Sequence, residues 1–421
     1  MPDLTIEDLG AAGDGIARLD GRTVFVPGAL PGERVRAELT GKRGDAAVAA
    51  VEAVLTPSPD RVTPPCPHFP ACGGCALQHW ADAPYADWKR AKLAEALARA
   101  GFADAPLGPL ARTPPATRRR ADLALRRGPG GAVLIGFHER GGQAVTDLAT
   151  CAVLDPRLVA LLDPLRAVLK RVPALKRQGS AVVNLLETGP DLLLRTDGVL
   201  EAPARILLAE FAAAQGIPRI AWAQNDGPPE TAAQLGLVAI RLGDVLVAPP
   251  PGAFLQASPA GEAAIVAAVL AGLPERLPAR AAIADLFAGN GTLSLPLAQR
   301  ARVTAFEGAA ESVAALAAAA GKAGAKVQAV RRDLDRQPLT PKDLQGFAAV
   351  VLDPPYAGAP AQVALLAKAI IPRLIYVSCN PAALARDAQA LGRGGWRVVS
   401  ATPVDQFLWS PHLESVVVFG R

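Results

Sequence analysis

The stretch A-A-I-A-D-L-F-A-G-N-G-T-L-S, residues 281–294, runs from an apolar segment through a turn with two glycines into a second apolar segment. It reads as strand, tight turn and helix start. The glycines let the backbone approach a ligand closely, at the carboxyl end of a strand, where open α/β sheets keep their ligands. The pattern continues on the C-terminal side. A strand at 303–306 ends on Glu307 and an alanine-rich helix follows. Further strands are expected at 327–330, 347–352, 374–378 and 414–419, with helices running to about residues 300 and 370. Alternation of this kind predicts βαβ units on a parallel sheet, an α/β, Rossmann-like domain. A dinucleotide site would carry G-x-G-x-x-G, and here the third glycine is replaced by Ser294.

Three more motifs stand at strand ends in this half of the chain. L-D-P-P-Y (352–356) follows the fourth strand, and its two prolines stiffen the loop that holds Asp353. S-C-N-P (378–381) follows the fifth and presents Cys379. W-S-P-H-L-E-S (409–415) leads into the last strand with His412 and Glu414. Alone, D-P-P-Y is similar to the motif of amino-methyltransferases, where the acid and backbone bind an exocyclic amine. Amine methylation needs no thiol, whereas methylation at C5 of uracil does. That carbon is a poor nucleophile until a thiolate adds at C6 and turns the ring into an enolate. A base must then remove the C5 proton, and either Glu414 or His412 can serve. The bland readings are a buried cysteine acting as a small hydrophobe and a surface acid at a strand start.

The N-terminal half is built differently. Short apolar runs at 16–19, 23–26, 34–39 and 46–55, cut by Gly-rich turns, suggest a small OB-like or SH3-like barrel, with Asp20-Gly21 as its hairpin turn. A Pro-rich linker leads to Cys66, Cys72 and Cys75, after which 85–100 has helical periodicity. Strands resume from 118 to Cys151, and 151–247 mixes both element types. Cys66, Cys72, Cys75 and Cys151 read as a tetrathiolate site, for which spacing alone leaves zinc and an iron–sulfur cluster open. The N-terminus lacks the basic and apolar segments of a signal peptide, and no apolar run approaches the ~18 residues of a membrane span, so a cytoplasmic protein with no membrane association is expected. Net charge is only +5, but Arg118-Arg119-Arg120, Arg126-Arg127, Lys170-Arg171 and Lys176-Arg177 could face phosphates or merely water.

Together these motifs resemble the RNA 5-methyluridine methyltransferases. G-A-F-L-Q (252–256) is similar to that family's F-x-Q motif, followed in order by D-L-F-x-G-x-G, D-P-P, S-C-N-P and H-x-E, while 135–151 looks like its central-domain signature. The resemblance implies three parts: a TRAM-like barrel (1–58), a central α+β domain with the cysteines (59–250), and a Rossmann-like catalytic domain (251–421). It implies S-adenosylmethionine contacts from Gln256, Phe287, Gly289, Gly291, Thr292, Glu307, Asp333 and Asp353. Cys379 would be the nucleophile, Glu414 the base, and Asp353 would sit beside the methyl group. The four cysteines would hold a [4Fe–4S] cluster, and the cluster with the TRAM domain implies the branch acting on large-subunit (23S) ribosomal RNA, since the transfer-RNA branch is expected to lack both. Three positions depart from the family pattern: Tyr356 for an arginine, Thr292 for an asparagine, and Ser258 for an asparagine.

The expectation is thus a 5-methyluridine-forming enzyme that takes a flipped-out uridine, because C6 must meet Cys379 on one face while the methyl group reaches C5. RNA is the expected partner, with no obligate protein partner evident. The stretch before residue 118 is a candidate to pack on the catalytic domain. Two other classes stay open: an amino-methyltransferase on nucleic acid, and a non-catalytic RNA-binding protein with a redox-sensing cluster.

Overall fold

The computed structural model describes all 421 residues, which form three sheets and one small hairpin. The N-terminal sheet has six strands, and Asp20-Gly21 makes its tight turn with φ of 50° and 75°, so that Leu19 pairs with Arg22. Two positive φ angles suit a turn whose twist matches the flanking strands. Leu4, Ile6, Val24, Val26 and Val35 fill its core. Glu33, fully buried, receives bonds from Arg61 and thereby fastens this sheet to the linker that follows.

A seven-stranded central sheet follows, with Arg120–Arg127, Gln178–Leu186 and Gly189–Thr196 in its middle. Helices Leu162–Lys170 and Ala202–Gln215 cover one face through Leu165, Leu169, Leu208 and Phe211. The arginine clusters are not one charged face. Arg119 is buried, bonded to Glu262 and to the carbonyl of Gln256, and Arg127 reaches the carbonyls of Leu169, Val172 and Leu175. These two arginines are interior connectors, whereas Lys170, Arg171, Lys176 and Arg177 remain exposed.

The C-terminal sheet runs Val327–Arg331, Arg302–Glu307, Ala282–Leu286, Phe347–Leu352 and Arg373–Ser378, all parallel. It continues with Glu414–Gly420, antiparallel to its neighbour, and Arg397–Asp405 beyond it. It is therefore mixed rather than wholly parallel. Three elements of this part come in addition to those expected, the helices Pro259–Gly272 and Pro381–Arg393 and the strand Arg397–Asp405. The helices expected to reach about 300 and 370 are α-helical only over Ser294–Leu297 and Pro360–Leu366. Beyond them tighter i→i−3 bonds take over, as from Arg300 N to Leu297 O and from Ala369 N to Leu366 O.

The helix Asp82–Arg99 packs on Pro381–Arg393, with Leu93 and Leu97 entering the same core as Leu384 and Leu391. Ala111–Arg112 adds a short edge strand to Arg397–Asp405. In space, then, 82–112 groups with the C-terminal sheet. No helix is long and apolar enough to cross a membrane.

Candidate active site and cysteine cavity

The parallel strands end on one rim, and the motif residues gather there. After Ala282–Leu286 the chain turns sharply, with Phe287, Gly289 and Gly291 at φ of 61°, 54° and 97°. A side chain at Gly291 would strike Leu316, 2.4 Å from the nearest carbon, so both the turn and the packing of the helix Ala310–Ala323 against it require glycine there. Asp285 beneath the turn is buried, and burial pushes its carboxyl up to about 7, with Asp353 and Glu307 adding to the effect. Ser294 Oγ donates to it at 2.5 Å. The serine that breaks the dinucleotide pattern is thus the partner of a buried acid.

Glu307 accepts from Gly289 N (2.9 Å) and Ala309 N (2.7 Å), which ties it to the glycine turn. Asp333 lies beside Gly308 and caps its own turn by accepting from Asp335 N and Arg336 N. Ser258 caps the helix Pro259–Gly272 by accepting from Gly261 N, a task asparagine does equally well, which accounts for that departure. Thr292 is half-buried in the same turn as Gly291.

Across the rim stand Asp353, Cys379 and Glu414. Gln256 is buried and its Nε2 donates to Asp353 Oδ2 at 3.3 Å. Cys379 follows Arg373–Ser378 and precedes Asn380, which caps Pro381–Arg393 and also donates through Nδ2 to the Tyr356 carbonyl at 2.9 Å. One asparagine therefore fastens the S-C-N-P and D-P-P-Y loops to each other. Burial, with the Glu414 and Asp353 carboxylates nearby, pushes the Cys379 thiol up to about 12. Glu414 begins the last strand, is buried, and accepts at Oε2 from Gln406 Nε2 (2.8 Å), while its Oε1 has no partner. Burial and the Asp353 charge hold the Glu414 carboxyl well above the ordinary range.

His412 does not share a strand face with Glu414, because the strand begins only at Glu414. Its exposed ring lies edge-on to Tyr356 and Phe407. Tyr356 is 58% exposed beside the Cys379 loop, so the departure from the family's arginine puts an open aromatic face at the mouth. Sequence reasoning missed Gln406 altogether. Its only sequence signal is a polar residue, adjoining an aspartate, where an apolar strand ends.

The four other cysteines line one cavity of about 280 Å³, walled also by Phe69, Phe137, Leu148, Arg118 and His412. The C-G-G-C turn reaches it by pressing on the strand Val133–His138. Gly73 N donates to His138 O at 2.9 Å, and a Cβ on Gly73 would lie 2.6 Å from that oxygen. None of the cysteines is paired in a disulfide. Burial and the neighbouring thiols push Cys75 up to about 12, a cost that bonding to a cationic centre would remove. No group of three or more His, Cys, Asp or Glu side chains is arranged closely enough to hold a metal ion. Four thiols lining one cavity are the donor set that either a zinc ion or an iron–sulfur cluster would use.

Residues 278–421 match the tRNA (Uracil-5-)-methyltransferase family, and residues 3–43 match the TRAM domain. The chain is 42% identical to an uncharacterized RNA methyltransferase of Caulobacter vibrioides over 100% of both chains. It is 35% identical to the 23S rRNA (uracil(1939)-C(5))-methyltransferase RlmD of Pectobacterium atrosepticum, covering 99% of this chain and 93% of that one. The chain belongs to the RNA uracil-C5 methyltransferase family. The reaction class follows: S-adenosylmethionine-dependent methylation of RNA uracil at C5. Neither the amine chemistry suggested by D-P-P-Y alone nor a purely binding role fits that membership.

The fold of this uracil-C5 methyltransferase is shared with Pyrococcus abyssi tRNA (uracil-54, C5)-methyltransferase in complex with S-adenosyl-L-homocysteine. The TM-score is 0.75, with 23% identity and 99% of both chains covered. That enzyme acts on a transfer RNA, yet its fold spans 99% of this chain. The three-part architecture therefore does not separate ribosomal-RNA from transfer-RNA enzymes, contrary to the expectation from sequence.

Proposed function

We propose that the chain forms 5-methyluridine in large-subunit ribosomal RNA, with Cys379 as nucleophile and Glu414 as base. The observation that carries the assignment of roles is the buried Glu414 carboxylate, which keeps one oxygen unpartnered and shares its surroundings with Cys379 and Asp353. The ribosomal target is supported by full-length similarity to a 23S rRNA enzyme.

In this reading Cys379 Sγ, as the thiolate, bonds to C6 of a flipped-out uracil, and the C5=C6 electrons move onto C5 and O4. S-adenosylmethionine, when bound, supplies the methyl group that C5 attacks. Phe287, Gly289, Gly291, Thr292, Glu307 and Asp333 would hold it along one rim, with Gln256 and Asp353 nearest the uracil. Glu414 Oε1 then takes the C5 proton. The C–H electrons rebuild the C5=C6 bond as the bond to Cys379 breaks, and the thiolate is returned. Glu414 suits this better than His412, whose ring is exposed and lines the cysteine cavity.

Cys66, Cys72, Cys75 and Cys151 would hold a [4Fe–4S] cluster, which when bound supplies a cross-link between the 66–75 loop and the central sheet. Cys72 and Cys151 already pack against the core of that sheet. The substrate assignment is tested by offering unmodified large-subunit ribosomal RNA and bulk transfer RNA separately. 5-Methyluridine in the ribosomal RNA alone is expected, and its appearance only in transfer RNA would overturn the assignment.

A further inference from the structure

We propose that Gln406 is a positioning residue for the base: its side-chain amide fixes the Glu414 carboxylate so that Oε1 alone faces the C5 proton. The proposal rests on the roles given above to Cys379 and Glu414. Gln406 is 3% exposed, and every hydrogen-bonding group of its amide except one lone pair is committed. Nε2 donates to Gln256 Oε1 at 2.7 Å and to Glu414 Oε2 at 2.8 Å, and Oε1 accepts from Ala257 N at 3.0 Å. An amide has only two N–H donors, so both are spent. Turning it over would set its oxygen against the Glu414 carboxylate and the Gln256 carbonyl, and its NH₂ against the Ala257 N–H. The orientation is fixed.

The surroundings are shaped to keep it there. A Cβ on Gly261, in the helix Pro259–Gly272, would sit 2.6 Å from Gln406 Cβ, so glycine makes the room that the glutamine needs. The preceding residue, Asp405, is held by Tyr85 Oη (2.7 Å) and Lys89 Nζ (2.8 Å), so the strand end carrying Gln406 is anchored from behind. Gln256 in turn donates to Asp353, and a continuous chain of amides and carboxylates crosses the site from the D-P-P loop to the base. The titratable groups facing Glu414 are Asp353 and Cys379; Lys89 and Asp405 lie behind the loop and pair with each other.

The consequence concerns one step. Addition of the thiolate and methyl transfer do not use Glu414 Oε1, whereas removal of the C5 proton and release of Cys379 do. Without its tether, the carboxylate loses both orientation and its neutral donor. The enzyme then stalls with methylated RNA still bonded to Cys379. A general base contributes on the order of 10²–10⁴-fold, so partial misplacement should cost on the order of 10- to 100-fold in turnover.

The test is Gln406→Met, which keeps the volume and removes both donors. It is run with a large-subunit ribosomal RNA transcript and methyl-labelled S-adenosylmethionine, beside wild type and Cys379→Ala. Expected is a fall in kcat of that size with KM for RNA and for S-adenosylmethionine little changed. Methyl label should accumulate in a protein–RNA adduct that survives denaturing electrophoresis. Should this variant fail to fold, Gln406→Asn withdraws the amide by one methylene and is read the same way. Unchanged turnover, or loss of methyl transfer without adduct, would overturn the proposal while leaving the nucleophile and base standing. Absence of 5-methyluridine from the wild-type reaction would sink the underlying reading as well.

Discussion

Replacing Lys89 by methionine should cost far more than a lysine on a helix normally does. Its side chain and that of Asp405 are both fully shielded from solvent, with Nζ 2.8 Å from Oδ1. Lys89 Nζ also bonds the carbonyls of His412 and, at 3.4 Å, Phe407. Removing one partner of a buried ion pair costs about 3–5 kcal/mol, because the other charge is left buried and uncompensated. The Tyr85 hydroxyl stays on Asp405 and offsets part of this, so the lower half of that range is expected. Asp405 immediately precedes the 406–413 segment, which carries Gln406 and also takes the N–H groups of Ala76 and Leu77 on the Trp409 carbonyl. The damage should therefore show at both the active site and the cysteine loop. The assay is denaturant unfolding of wild type and variant, with hydrogen exchange read at 406–413 and 75–79. The double variant Lys89→Met, Asp405→Asn, which neutralises both partners, should recover more than half of the loss. A cost below about 1 kcal/mol, the worth of an exposed pair, would refute the reasoning.

Glu414→Gln should abolish turnover by at least ~100-fold, leave the covalent adduct in place, and raise stability at neutral and alkaline pH. The sign follows from the raised carboxyl: its protonated form is favoured by the fold, so stability is lost as pH rises through the folded pKa, and glutamine removes that loss. Thermal unfolding at pH 5 and pH 9 checks it, since the difference between variant and wild type should be larger at pH 9. Wild-type kcat should rise with pH through the neutral range without levelling at 7, because Glu414 must be deprotonated and Cys379 must ionise from about 12. A pH–rate profile falling above neutrality would contradict this. Protein purified without oxygen should be brown, with iron and acid-labile sulfide in equal amounts, and Cys72→Ser should lose both; zinc in a colourless protein would exclude the cluster. Tyr356→Ala should weaken RNA binding by about 1–3 kcal/mol if a base stacks on the exposed ring, with KM for S-adenosylmethionine unchanged.

Much of this site was readable because strand ends carry their chemistry in short motifs. Asp353 and Cys379 follow parallel apolar strands and Glu414 opens an antiparallel one, so that all three fall on a single rim. The glycine turn at 289–291 was equally legible, since positive φ has few other solutions. What escaped were contacts between distant segments. Nothing local marks Lys89 as interior: a lysine in the helix Asp82–Arg99 reads as solvated until Asp405 is seen 316 residues away. Gln406 is hidden for the same reason, as its worth lies in Gln256 and Glu414. Arg119, left open between phosphate and water, faces neither; sequence shows charge but not burial. Cys151 could be grouped with Cys66, Cys72 and Cys75 only by residue type and resemblance, and the shared cavity gives that grouping its geometry.

The account turns on Cys379 adding to uracil, and nucleoside mass spectrometry tests that most directly. Unmodified large-subunit ribosomal RNA is incubated with S-adenosylmethionine and either wild type or the Cys379→Ala variant. New 5-methyluridine from the wild type and none from the variant is the predicted result. Methylated adenine or guanine amines, formed equally by both proteins, would contradict it and make the cysteine a packing residue.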